Sequence, residues 1–136
     1  SKWWFLPPPE EKDQAYTTQA LQAYQRMMFE YPQHPLVDTA KQRETFCLRR
    51  LAEHELYAAR FYLKYEKYTA AITRAEDLLE TYPGIGFDAE ALWIIAKAHH
   101  AQDLMSETRQ SIDRLLQAHP HSRQAGKAQK LLEKLL

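Results

Sequence analysis

The chain has 136 residues, 18 of them basic and 18 acidic, so its net charge is zero. That length suits one domain, and that balance leaves no electrostatic footprint for nucleic acid. Alanine (18) and leucine (17) dominate over one valine and five isoleucines, which favours helices over a sheet. Only Gly84, Gly86 and Gly126 are glycines, too few and too scattered for a phosphate-binding loop. No apolar run approaches the ~20 residues of a membrane span, and the sequence reads without a signal peptide.

Residues 1–11 are predicted to form an extended amino-terminal segment, because the successive prolines of SKWWFLPPP favour an open backbone. Trp3, Trp4 and Phe5 within it are expected to pack on the helical body, or to have met a preceding repeat. A first helix should run from about Lys12 to Phe29 and stop at Tyr31-Pro32. Leu36 to Glu66 then contains neither proline nor glycine, which permits one helix of about 30 residues, roughly 45 Å long. Its apolar residues lie on two sides, with Cys47, Leu51, Ala58, Tyr62 and Tyr65 on one and Leu48, Ala52, Ala59 and Leu63 on another. Such a helix must be packed on both, as a spine shared by neighbouring repeats; a break near Leu51 is the alternative. Cys47 can form no internal disulfide, and between Phe46 and Leu48 it reads as a small buried residue.

In LAEHELYAARFYLKYEKYTAAITRAEDLLETYP (Leu51–Pro83), Ala58 and Ala59 face Ala71 and Ala75 across a turn, with Tyr62 and Tyr65 filling the space between. Tyr68, Ala71, Ile72, Ala75, Leu78 and Leu79 form one apolar face, and Lys67, Arg74 and Glu80 occupy the other. This pattern resembles a tetratricopeptide (TPR) repeat. The ending recurs. Tyr82, Leu78, Ala75 and Ala71 before Pro83 correspond to Tyr31, Met27, Tyr24 and Ala20 before Pro32, and to His119, Leu115, Ile112 and Thr108 before Pro120. The prolines are 51 and 37 residues apart, against the usual ~34.

Further helices are expected over Phe87–Ala101 and Met105–Ala118. A closing helix should follow Ser122 as N-cap, with Ala125, Ala128, Leu132 and Leu135 inward and Arg123, Lys127, Lys130 and Lys134 outward. The fold expected is all-α: a TPR-like α-solenoid of antiparallel hairpins over residues 12–136, with repeats 12–50, 51–85 and 87–120 and a closing helix 122–136.

Nothing in the chain reads as catalytic. Glu53-His54-Glu55 begins a zinc-binding H-E-x-x-H, but Ala58 stands where the second histidine should be, so the segment reads as a solvated helix face. His99-His100 and His119-Pro120-His121 are the remaining basis for a metal-dependent hydrolase, yet neighbouring histidines diverge by about 100° on a helix. No metal or other cofactor is expected. Asparagine is absent, which argues against the carboxylate clamp by which some TPR domains hold chaperone tails.

The combination of YPQHPLVDTA, a long helix and RRLAEHELYAARFYLKYEKYTAAITRAEDLLETYP resembles the carboxyl-terminal half of the BamD (ComL-type) outer-membrane-assembly lipoprotein family. Leu51, Ala52, Glu55, Ala59, Tyr62, Tyr68, Arg74, Leu78, Tyr82 and Pro83 stand at matching places. The resemblance implies a non-catalytic scaffold at the periplasmic face of the outer membrane, holding the periplasmic (POTRA) domain of BamA and other lipoproteins of that machinery. It implies membrane attachment only through a lipid anchor, expected to be missing from this fragment together with the amino-terminal repeats. It also implies that Arg74 pairs with an acidic residue of BamA, with Lys67 and Asp77 on roughly the same face; otherwise Arg74 would pair with Glu76 or Asp77, or with nothing. A different periplasmic TPR adaptor, serving envelope or peptidoglycan machinery, is the alternative.

Overall fold

The computed structural model describes residues 9–136, with side chains from Gln14 onward. Trp3, Trp4 and Phe5, and the expectations attached to them, lie outside the described residues. Six helices and no strand make up the described part: α1 (Pro9–Glu30), α2 (Val37–Lys64), α3 (Tyr68–Thr81), α4 (Asp88–Ala101), α5 (Met105–Ala118) and α6 (Arg123–Leu135). The fold is all-α and built of TPR-like helical repeats. Helix α1 starts at Pro9. Residues 9–11, expected to be extended, are instead its first turn, where a proline is tolerated because its missing N–H would have had no partner anyway.

Helix α2 is continuous through Leu51, so the alternative of a break there does not hold. The chain nonetheless divides into two compact units, one ending at His54 and the other spanning Glu55–Leu136, with the boundary inside α2. In the first unit α1 and the start of α2 are joined by a turn that closes through His34 N–H to the Tyr31 carbonyl (3.0 Å) and Val37 N–H to the His34 carbonyl (3.0 Å). Gln25 of α1 donates to Glu44 of α2 at 3.2 Å. Leu21, Ala40, Cys47, Leu51 and Ala52 are buried. Of the stripe expected in α1, Ala20, Tyr24 and Met27 are only half-buried and Tyr31 is exposed.

The second unit shows why the pre-proline pattern repeats. Ala71, Ala75 and Leu78 of α3, and their counterparts Thr108, Ile112 and Leu115 of α5, are all fully buried. The turns match as closely. Before α3, Glu66 takes a left-handed φ of 61° and Lys67 N–H reaches the Tyr62 carbonyl at 2.8 Å. Before α5, Asp103 takes φ 58° and Leu104 N–H reaches the His99 carbonyl at 3.1 Å. These are the six-to-one closures that satisfy carbonyls left over at a helix end. Tyr82 and His119 then cap α3 and α5 by donating backbone N–H to Leu78 and Leu115, each at 2.8 Å. The 37-residue shift is thus a structural repeat.

Helix α4 is the centre of this unit. Ala91, Leu92, Ile94, Ile95, Ala96 and Ala98 are buried, so scarcely any side of the helix is polar. On one side Ala91, Ile94 and Ile95 join Leu56 and Ala59 of α2 and Ala71, Ala75 and Leu78 of α3; on the other Leu92 and Ala96 meet Ile112, Leu115 and Ala128. The alanines let the backbones approach, and the larger side chains of the facing helix fill what remains. Tyr62 packs against the first cluster as expected. Tyr65 does not: it is 50% exposed, with its ring 4.8 Å from that of Phe61. It lies at the end of α2, past the last alanine that could receive it.

Ser122 caps α6 by accepting the Ala125 N–H at 3.0 Å, as expected. Buried Thr108 donates to the Leu104 carbonyl at 2.7 Å and buried Ser111 to the Glu107 carbonyl at 2.9 Å, so both hydroxyls are satisfied within their own helix. Gly84, at φ 75°, has open space around it. Glycine is favoured there by backbone conformation and not by crowding.

Leu78 is fully buried between α3 and α4. Leu78→Ala is expected to lower stability by about 2–5 kcal/mol, whereas Asp77→Ala, one position away and exposed, should stay within about 0.5 kcal/mol. Urea unfolding followed by circular dichroism compares them, and equal midpoints would mean that this helix pair is not core.

Candidate functional site

Arg74 lies on α3 one residue before buried Ala75, so its stem runs along the helix pair while its head reaches the rim. Its Nη1 is 3.5 Å from both carboxylate oxygens of Glu55 on α2. The side chains are 37% and 14% exposed, so Glu55 is the recessed partner. Neither Glu76 nor Asp77 takes the arginine. Glu76 is engaged by Arg114 of α5, at 2.5 and 3.2 Å, and Asp77 is exposed. Contacts of 3.5 Å are long for a charge-assisted bond, which ordinarily closes to about 2.7–2.9 Å. The rest of the Arg74 fork makes no hydrogen bond among the described residues, so a planar double donor is held in place but only weakly engaged.

Lys67 stands just before α3, exposed, as the residue flanking its first turn. Asp77 is one turn along from Arg74. The structure brings no contact between any two of Arg74, Lys67 and Asp77. What sequence reasoning missed is Glu55, whose pairing with Arg74 across 19 positions depends on how α2 and α3 meet. Tyr82 belongs to the same neighbourhood. Burial, and then the negative charge of Glu55, push its phenol pKa up. The folded state therefore favours the neutral phenol. That stabilisation is complete below the ordinary phenol range near ~10 and is lost as pH rises through the raised value.

One residue considered for metal chemistry lies where it was not expected. His54, expected on a solvated face, is buried at 7% exposure, and its Nδ1 has no partner. Its position alternates with the exposed Glu53 on the side of α2 that carries Leu51. His99 is half-buried, also with an unpartnered Nδ1, while His100 and His121 are exposed. No group of three or more His, Cys, Asp or Glu among the described residues is placed to hold a metal. Cys47 is buried; burial raises its thiol pKa, with Arg43 opposing more weakly. No helix among the described residues is long and apolar enough to cross a membrane.

In the Glu55–Leu136 unit, helices that pair in sequence order, repeat the same turn and present charged rims define a TPR-type helical repeat protein. Residues 4–111 match the family model of YfiO, described as an outer membrane lipoprotein, and the chain belongs to that family. Among curated proteins it is similar to the outer membrane protein assembly factor BamD of Vibrio cholerae, 30% identical over 113 residues, covering 81% of this chain and 45% of that protein. The namesake of Buchnera aphidicola is 27% identical over 106 residues, covering 78% and 43%. That of Pasteurella multocida is 30% identical over 81 residues, covering 60% and 31%. The chain thus spans less than half the length of these relatives.

Because Glu55 is the second cause of the raised Tyr82 pKa, Glu55→Gln should shift the Tyr82 titration to lower pH. Burial should still hold it above an ordinary phenol. Carbon NMR of ring-labelled tyrosine across the alkaline range reads this, and an unchanged or higher midpoint would separate the two residues.

Proposed function

We propose that the chain is a non-catalytic scaffold in the assembly of outer membrane proteins, acting at the periplasmic face of the outer membrane. It docks there onto the periplasmic POTRA domain of BamA through the Arg74 side of α3. The reading rests on membership of the YfiO family and on similarity to proteins named outer membrane protein assembly factor BamD. The observation that carries the residue-level part is Arg74 itself: a guanidinium positioned by a recessed carboxylate and still able to donate outward. Guanidinium keeps its charge at any relevant pH and offers two parallel N–H groups to an incoming carboxylate. Packed hairpins hold it without ordering a loop, so docking loses little conformational entropy. Lys67 and Asp77 flank it and set which rim charges a partner must carry.

Arg74→Gln removes the fork while keeping a polar side chain of similar reach. It should weaken binding to the isolated POTRA domains of BamA by about tenfold or more, the scale for a charge paired at a desolvated contact, and leave the melting temperature within a few degrees. Isothermal titration calorimetry gives the comparison. Undiminished affinity would remove Arg74 from the interface; no binding by the unaltered chain, with capture of another envelope protein, would favour a different periplasmic adaptor.

A further inference from the structure

A second surface of the Glu55–Leu136 unit is rich in positive charge. On α4, Glu90, Trp93 and Lys97 follow at steps of three and four, which places them on one side of the helix. Glu90 is held by Arg60 of α2 in a two-pronged contact, Arg60 Nη2 to Glu90 Oε1 at 2.7 Å and Nε to Oε2 at 2.5 Å. Lys97 lies over Trp93, with Nζ 5.5 Å from the ring centre. Across from it is α6, which packs on α4. Arg123, Lys127, Lys130 and Lys134 fall within one narrow arc of α6; all are exposed, and none enters an ion pair among the described residues. The other side of α6 is taken up by the core, where Ala128, Leu131, Leu132 and Leu135 pack inward.

Lys97 feels the other cations. Lys97 is harder to protonate than an ordinary lysine, first because it is half-buried, then because of Lys127 and Arg60, with Glu90 opposing. Glu90 is the one acid in this group and already receives two bonds from Arg60.

We propose that Trp93, Lys97 and Lys127, bordered by Arg60, form a docking site for an acidic segment of a partner polypeptide, with the remaining α6 cations as its rim. Charge complementarity identifies the occupant. A carboxylate between Lys97 and Lys127 replaces mutual repulsion by two attractions, and Trp93 offers an apolar floor for the stems of aspartate and glutamate. Burial depth decides between a polypeptide and an anionic lipid surface. Lys97 and Trp93 are half-buried beside the exposed α6 cations, so a flat layer of headgroups meets α6 alone, while an extended peptide reaches the lysine and the ring. Helix α6 keeps no free apolar stripe with which to enter a bilayer. The site shares no residue with the Arg74 side of α3 and stands independently of the role proposed for it.

The test uses the full chain and a dye-labelled peptide of alternating glutamate, glycine and aspartate, with anisotropy read at about 0.15 M salt. Saturable binding is expected, with the Trp93 indole N–H moving in the NMR spectrum on peptide addition. Lys127→Gln, on exposed α6, and Lys97→Gln should each weaken binding about tenfold, against less than about threefold for Lys130→Gln or Lys134→Gln. Circular dichroism melts identify any variant that fails to fold, and Lys127→Gln carries the test if Lys97→Gln does. Absence of peptide binding overturns the site. Equal losses at all four lysines overturn it too, since they would mean a diffuse field. So does binding confined to phosphatidylglycerol vesicles, which would make the surface a membrane contact.

Discussion

Helix α4 turns only the side of Glu90, Trp93 and Lys97 toward water, and the arrangement of the carboxyl-terminal unit follows from that. A helix apolar on nearly every side is stable only when surrounded, and the neighbours supplied in sequence order, α3 before it and α5 and α6 after it, do the surrounding. Alanine sets how closely they come: Ala59, Ala71, Ala75, Ala91, Ala96 and Ala128 are fully buried, so backbones meet where side chains are smallest. Interhelix spacing is then fixed by methyl groups, which have no alternative rotamers to relax into. Rigidity in such a stack is a property of composition.

Much of this was legible along the chain, because a pre-proline stripe is a local signal. The endings at Pro83 and Pro120, the Ser122 cap and the unbroken α2 follow from spacing and from which residues a helix tolerates. What escaped was set by contacts distant in sequence. Ala91, Ile94 and Ala98 are core only because α3 and α5 flank α4 on opposite sides, which no local spacing reveals. Tyr65 has the residue type of a core tyrosine but lies beyond the alanines that could accept it. His54 reads as part of a charged Glu-His-Glu run, yet its position on α2 follows Leu51 inward. Pro9 shows the opposite error: prolines that break a helix from within can open one.

The candidate site illustrates the same division. Arg74 was singled out by its place in a family pattern, whereas its partner Glu55 is a matter of how two helices cross. Three arginine–carboxylate pairs tie the unit together, Arg74 with Glu55, Arg60 with Glu90 and Arg114 with Glu76, linking α3 to α2, α2 to α4 and α5 to α3. Being largely at the surface, each contributes only about 0–1 kcal/mol. Their effect is on register: each discourages a slip of one helix along another that would part a cation from its anion. Charges outside these pairs, together with the unused donors of Arg74, are the ones with attraction to spare for another molecule.

The two left-handed turn residues, Glu66 and Asp103, lie 37 positions apart and occupy the place where helix ends most often carry glycine. Holding a side chain in that conformation is unfavourable by about 1–2 kcal/mol, a penalty glycine escapes. A fold with two such concessions holds less than the full stability available to it, which leaves room for compensating a damaging substitution elsewhere in the core.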